Sequence, residues 1–378
     1  MKSNGNITRI LSIDGGGIRG IVPAVVLGHL EETLQHLSNN PAARLADYFD
    51  LFAGTSTGSM IVAGLLAPDK DNRPIYSAKE IVGLYFDNAE TIFQDSLLQD
   101  IKSVVGLLNV KYSAEGIESV FQQYFPNTEL KELLKPTLIP VYDLTRGKNY
   151  FFRQQKALVS ARHNYLLKDV LRCATSAITY FPPVQISTAD NSRYRCFIDG
   201  GIFANNPALS AYAEFRYHNP ELHAKDTMML SLGTGKQGTH LDCESTQHWG
   251  ALEWREPAGN LFANAVADAN HYQLSAVYDK KPNYLRLDAF FNDTDKSSLD
   301  NTSKDYLDCL YHLGLKIVQN NKPTIKSFAQ KLIDNTPPCV SQNDQSNITV
   351  DSVTTTQPNQ QSKLVLAMKK ALRKITDQ

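Results

Sequence analysis

The apolar residues fall into two rhythms that alternate along the chain. Arg9-Ile10-Leu11-Ser12-Ile13 is a β-branched, partly alternating stretch that predicts a strand over 8–13. Apolar residues then recur at helical spacing, with Pro23 near the start, which predicts a helix over 23–37. The pair repeats. An apolar run ending at Phe52-Ala53 predicts a strand over 48–53, and Met60-Ile61-Val62-Ala63-Gly64-Leu65-Leu66 reads as the buried face of a helix over 57–66. Further strands are predicted over 137–142, 150–153, 195–198 and 227–232. Residues 68–135 read as mostly helical, with Ile92-Phe93 and Phe121 to Phe125 as aromatic packing points, either core or one wall of a groove. This alternation predicts an α/β fold of three layers, α/β/α, with a mostly parallel central sheet covered on both faces.

Glycines punctuate the first two strand–helix junctions. Gly54-Thr55-Ser56-Thr57-Gly58 is a Gly-x-Ser-x-Gly pattern between a predicted strand and a predicted helix, the context of a nucleophile elbow. Its sharp turn lifts the Ser56 hydroxyl above the sheet, and Gly54 and Gly58 leave room on either flank. A serine alone is a poor nucleophile, so it requires a base and donors for the developing oxyanion. The other junction, Asp14-Gly15-Gly16-Gly17-Ile18-Arg19-Gly20, places three consecutive glycines before a helix. Backbone N–H groups of Gly15, Gly16 and Gly17 can converge there into an anion-stabilising nest, with the positive charge of Arg19 close by.

Gly15-x-Gly17-x-x-Gly20 also fits the dinucleotide-binding fingerprint of an oxidoreductase. That reading calls for an acidic residue ending a second strand about 20 positions on. Here that distance falls near Leu34 to Leu37, inside a predicted helix. An oxyanion hole serves Ser56, whereas a pyrophosphate site leaves the serine unexplained.

The familiar base for a serine is histidine. None of the nine histidines stands at a glycine-bounded strand end; His271 and His248 are the ones to test for a conventional triad. Asp199 is placed differently. It closes the strand Arg195-Cys196-Phe197-Ile198, is followed by Gly200-Gly201, and leads through a loop to Asn206-Pro207, an expected helix cap with proline at the first helical position. A carboxylate beside glycines that admit another backbone can reach a serine hydroxyl.

Composition changes this picture little until the tail. With 42% apolar residues the chain can bury a large core, and a formal net charge of −1 gives no bias toward nucleic acid. Cys173, Cys196, Cys243, Cys309 and Cys339 are odd in number and lack a C-x-x-C pair, which points to free thiols in a reducing compartment and to no metal site. No run reaches the roughly 18 apolar residues of a membrane span, and no apolar signal segment precedes the first strand. The expectation is a soluble, cytoplasmic protein with a core domain over 5–335. Residues 336–362 are polar and read as a flexible linker. Residues 363–378 carry a basic amphipathic helix, with Leu364, Met368, Ala371, Leu372 and Ile375 on one face. That helix either docks on the core or makes peripheral contact with anionic membrane, at about 1 kcal/mol per basic residue.

Taken together, Asp14 to Gly20, Gly54 to Gly58 and Asp199-Gly200-Gly201 resemble the motifs of the patatin-like lipid acyl hydrolases, and closely those of plant patatins. Lesser matches are Ala43 to Asp50, Thr179 to Pro183, Leu230 to Gly235 and Lys281 to Arg286, so the similarity covers about 7–330. The resemblance implies a patatin-like fold and a Ser–Asp dyad, with Ser56 as nucleophile and Asp199 as base. It implies an oxyanion hole formed by the Gly15–Gly17 loop and Arg19, and an acyl-enzyme route on phospholipids or other lipid esters without metal or cofactor. Plant patatins commonly show Asp-Gly-Ala where this chain has Gly201, a departure that leaves the dyad intact. A storage or scaffold protein with incidental esterase activity is the alternative reading.

Overall fold

A computed structural model of the protein describes residues 7–94, 110–187, 194–236, 242–279, 283–291 and 298–336. Its strands are β1 (Thr8–Ile13), β2 (Leu51–Gly54), β3 (Thr137–Asp143), β4 (Lys148–Arg153), β5 (Val184–Ser187), β6 (Tyr194–Asp199), β7 (Thr227–Leu232) and β8 (Tyr284–Leu287). They form one sheet in the order β5-β6-β3-β2-β1-β7-β8, with β4 on the free edge of β3. The run from β3 through β2, β1 and β7 to β8 is parallel, while β4 and β6 pair antiparallel with β3.

Strand side chains alternate between faces, so a strand covered on both sides feeds two cores. Leu11, Ile13, Phe52, Ile139, Met228, Leu230 and Leu232 enter one, together with helices Ile21–Leu37, Thr57–Leu66, Ala78–Ile92 and Lys304–Asp334. Ile10, Leu51, Ala53, Leu138 and Met229 enter the other, under helices Ala208–His218 and Ala251–Val277. The three-layer α/β/α fold with a mostly parallel sheet is the observed one.

Several boundaries differ from expectation for local reasons. The strand expected over 48–53 starts at Leu51, because Leu45–Tyr48 winds into a helical turn closed by Arg44 N–H donating to Asp47 at 2.8 Å. The first helix starts at Ile21 and the second spans Thr57–Leu66 as expected. The helix after Asn206-Pro207 begins one residue late, at Ala208, whose N–H donates to Asn206 Oδ1 at 3.0 Å. Within 68–135 the helices are Ala78–Ile92 and Glu115–Tyr124. Their aromatic points pack inward: Phe93 meets Tyr112 edge-on at 5.5 Å and Phe181 at a tilt at 6.1 Å, and Phe121 is buried. Residues as far as Thr336 belong to one compact unit. The expected linker from 337 onward and the basic helix over 363–378 lie outside the described residues. Among the described residues no helix is long and apolar enough to cross a membrane.

Candidate active site

Register sets the level of the site. Ile13 pairs with Gly54 on one side and Leu232 on the other, and Leu232 pairs with Leu287. The parallel strands β1, β2, β7 and β8 therefore stop together. The Asp14–Gly17 loop, the Thr55-Ser56 turn, Gly233-Thr234-Gly235 and Asp288 all leave the sheet at its carboxyl edge, where open α/β sheets bind their ligands.

Ser56 is the tip of a strained elbow. Its φ of 52° and ψ of −122° lie where side-chain-bearing residues rarely sit, a cost of about 1–3 kcal/mol that the surroundings must hold. They do so with backbone bonds: Gly58 N–H to Thr55 O at 2.7 Å, Ser59 N–H to Ser56 O at 2.8 Å, and Thr55 N–H to Ile13 O at 3.2 Å. The Ser59 hydroxyl also donates to Ser56 O at 2.5 Å, and the Thr55 hydroxyl to Ala204 O at 2.6 Å. Glycine is required at 58 by close approach, since a Cβ there would lie 2.9 Å from Asp14 O and nearer still to Ile13 O. Gly54 packs against Gly58, and Gly20 against Thr57 and Tyr85.

Asp199 ends β6 opposite Val141, and its N–H donates to Ser176 O at 3.1 Å. Its buried carboxylate accepts Gly201 N–H at 2.8 Å and has the Ser56 hydroxyl beside it. Burial pushes its pKa up to about 6, and the nearby Ser56 hydroxyl and Gly201 N–H offset only part of the rise. Among the described residues no cation pairs with it. Gly200 rests on the Pro140 carbonyl, close enough that a Cβ would clash.

The glycine loop needs one correction. Gly15 N–H is donated to Asn205 O at 3.0 Å, so it is engaged and cannot serve as an oxyanion donor in this arrangement. The role left to Gly15 is proximity, for a Cβ there would lie 3.2 Å from Ser56 Cβ. Among the described residues the N–H groups of Gly16 and Gly17 have no partner. Gly17 adopts φ +57°, and the Leu299 carbonyl that accepts Ile18 N–H at 2.9 Å leaves no space for a side chain on it. Arg19 is buried 6.0 Å over the Phe291 ring, and its Nε donates to Gly16 O at 3.3 Å. Burial lowers its pKa. Its charge thus braces the Gly16 peptide.

A second buried network lies under this loop, and the sequence alone does not announce it. Arg286 of β8 donates twice to Asp14, at 2.6 and 2.9 Å, and also to Ser231 Oγ at 2.8 Å and Asp288 Oδ2 at 2.8 Å. Asp288 accepts Gly235 N–H at 3.1 Å, and the Thr234 hydroxyl donates to Gly15 O at 2.8 Å. Strand ends β1, β7 and β8 are thereby tied to the loop beside Ser56. Burial pushes Asp14 up to about 6 against the pull of Arg286, while Asp14 and Asp288 hold the Arg286 guanidinium charged. The signal was present in part: Asp14 opens the glycine motif and Arg286 closes the Lys281–Arg286 match, but 272 positions separate them. His271 is taken up by the Tyr284 hydroxyl, 3.0 Å from its Nδ1.

A serine on such an elbow, at the carboxyl edge of an α/β/α sheet, is the arrangement of a hydrolase. The sequence profile of the patatin-like phospholipases matches residues 11–212. The chain is 34% identical over 342 residues to patatin-like protein 2 of Arabidopsis thaliana, which spans 83% of this chain and 84% of that one. Over 339 residues it is 31% identical to patatin-like protein 4 of the same plant, covering 84% of each. It is 30% identical over 357 residues to a Solanum tuberosum protein named probable inactive patatin-3-Kuras 1, covering 87% and 94%. Among solved structures, VipD from Legionella pneumophila overlaps 83% of this chain and 67% of its own at 11% identity and a TM-score of 0.35. On the sequence matches, this chain belongs to the patatin-like phospholipase family, and at that level it is a lipid acyl hydrolase.

Proposed function

We propose that the protein cleaves fatty acyl esters of phospholipids or related lipids through a Ser56–Asp199 dyad and an acyl-enzyme, with no cofactor. What supports this is a buried strand-end carboxylate, Asp199, beside the strained Ser56 elbow and, among the described residues, without a cationic partner. Such a carboxylate is a stronger base than one in water, because burial penalises its charged form. Asp199 takes the Ser56 proton as Oγ attacks the ester carbonyl. The charge that develops on the carbonyl oxygen is met by the Gly16 and Gly17 N–H groups, which Arg19 holds through the Gly16 carbonyl. The proton on Asp199 passes to the departing alcohol as the acyl-enzyme forms. Water, deprotonated by Asp199, then releases the fatty acid and restores Ser56. An alkoxide leaves far more easily than an amide anion, so an ester needs less acid assistance at collapse than a peptide, and one carboxylate suffices.

The basic segment over 363–378 is proposed as a peripheral tether to membrane, in a chain working in the cytoplasm. Truncation after Asn335 then weakens vesicle binding, and unchanged binding rejects the tether.

The test of the function is hydrolysis of mixed phospholipid vesicles by the native chain and by Ser56→Ala, with released fatty acid read by mass spectrometry. Release that disappears in Ser56→Ala is expected, and its pattern reports the head group and acyl position. Release that persists rejects Ser56 as nucleophile. A storage or scaffold role is the second reading, favoured by the relative named as a probable inactive patatin; absence of release from every lipid ester by the native chain would select it.

A further inference from the structure

The two tryptophans of the chain, Trp249 and Trp254, stand at the start of the 27-residue helix Ala251–Val277, edge-on with centroids 5.1 Å apart. That helix runs antiparallel to β7. Its far end sits where the strand begins, with the Tyr278 hydroxyl 2.6 Å from Thr227 Oγ1. Further back His271 meets Tyr284, the residue opposite Met229, and Asp268 is ion-paired with Lys236, already beyond the end of β7. Residues 251–267 therefore extend about 25 Å of helix past the carboxyl edge of the sheet, the edge at which Ser56 stands.

Core packing stops where the overhang begins. Ala267, Leu274 and Tyr278 are buried, whereas none of the side chains described between 253 and 266 is. The overhang is nevertheless not polar throughout. Trp254, Ala258, Leu261, Phe262 and Ala265 recur at i, i+4, i+7, i+8 and i+11, one face of a helix, and Phe262 is 64% exposed. The short helix Gly201–Ala204, which follows Asp199 directly, packs against this helix and leaves Ile202 exposed. Phe290, bridged to Lys236 at the same edge, is 72% exposed. Exposed apolar side chains thus gather at the carboxyl edge of the sheet, a concentration that marks an interaction surface.

We propose that this overhang, with Ile202 and Phe290, docks on the surface of a zwitterionic phospholipid aggregate and holds the mouth of the Ser56 site against it. The choice of partner rests on the lipid acyl hydrolase reading: the overhang rises from the same sheet edge as the Ser56 elbow. Tryptophan combines an apolar body with a polar N–H and favours the boundary between acyl chains and head groups. Glu253, Arg255 and Glu256 leave the overhang without excess positive charge, so burial of apolar area, not attraction to anionic lipid, is the driving term.

Because no other tryptophan exists in the chain, its emission reports on this segment alone. The full chain carrying Ser56→Ala, which binds without consuming lipid, is mixed with phosphatidylcholine vesicles. Expected are a blue shift and at least about a twofold loss of emission when the acyl chains are brominated. Leu261→Ser with Phe262→Ser removes both effects, while the same pair in the native chain leaves hydrolysis of a water-soluble p-nitrophenyl ester within about twofold. Emission that vesicles do not move, or a shift equally large in the double variant, overturns the proposal. The two readings separate cleanly. A normal shift without soluble-ester turnover upholds docking and rejects the dyad, and normal turnover with unmoved emission does the reverse.

Discussion

Asp199 and Asp14 are two buried carboxylates at one sheet edge, and burial pushes both up to about 6. They differ in what faces them. Asp14 is clasped by Arg286 through two hydrogen bonds, at 2.6 and 2.9 Å, so its charge is compensated in part and its protonation would leave the guanidinium to Asp288 alone. Among the described residues Asp199 faces only neutral groups, the Gly201 N–H that it accepts and the nearby Ser56 hydroxyl, so its charge is tolerated at a cost and its protonation relieves that cost. Burial alone therefore does not make a base. On the proposed function, the partner decides whether a buried carboxylate ties strands together or takes a proton.

Asparagine substitution at each position should separate the two with opposite signs. The largest effect is on turnover: Asp199→Asn keeps the shape but cannot accept the serine proton, and kcat should fall about 10⁴-fold. Near-normal rates in that variant would dissolve the distinction. Next in size is Asp14→Asn, which leaves Arg286 buried with half its compensation. It should lower unfolding stability by about 3–5 kcal/mol, measured by denaturant melts. A loss under about 0.5 kcal/mol would mean that the tie carries no load.

The smallest effect runs the other way. Folding raises the pKa of Asp199 from 3.8 to about 6, so the folded state holds more protons than the unfolded between those values. Stability is therefore lost as pH rises through that window, and at neutral pH the full cost is present. Asp199→Asn removes the ionisation and should stabilise the protein by about 1–3 kcal/mol at pH 7, with little change at pH 3.5. Destabilisation at pH 7 would mean that hydrogen bonding to the ionised form outweighs its burial.

Much of this was legible in the sequence, and the parts that were not share a cause. Ser56 and its flanking glycines were readable because the elbow is a local motif with a fixed strand and helix on either side. Asp199 was readable as a strand-end carboxylate, although nothing local distinguishes it from an ordinary Asp-Gly turn. Strand β8 was missed because it is four residues long with Arg286 at its third position, which reads as surface until Asp14 arrives from the other end of the chain. Strand β5, an edge strand of four residues, shows too few positions for an alternation. The engagement of Gly15 by the Asn205 carbonyl is likewise tertiary: three consecutive glycines announce a nest, but only the packed loop shows which N–H groups are already bonded.

The most direct test of the central claim, that Asp199 acts as a buried base without a cationic partner, is the pH dependence of kcat/KM for a soluble p-nitrophenyl ester on the native chain. The account predicts a single ionisation near 6, with activity falling tenfold per pH unit below it and flat above to pH 8, unchanged by His271→Ala. A profile without that inflection, or one whose inflection disappears in His271→Ala, would contradict it.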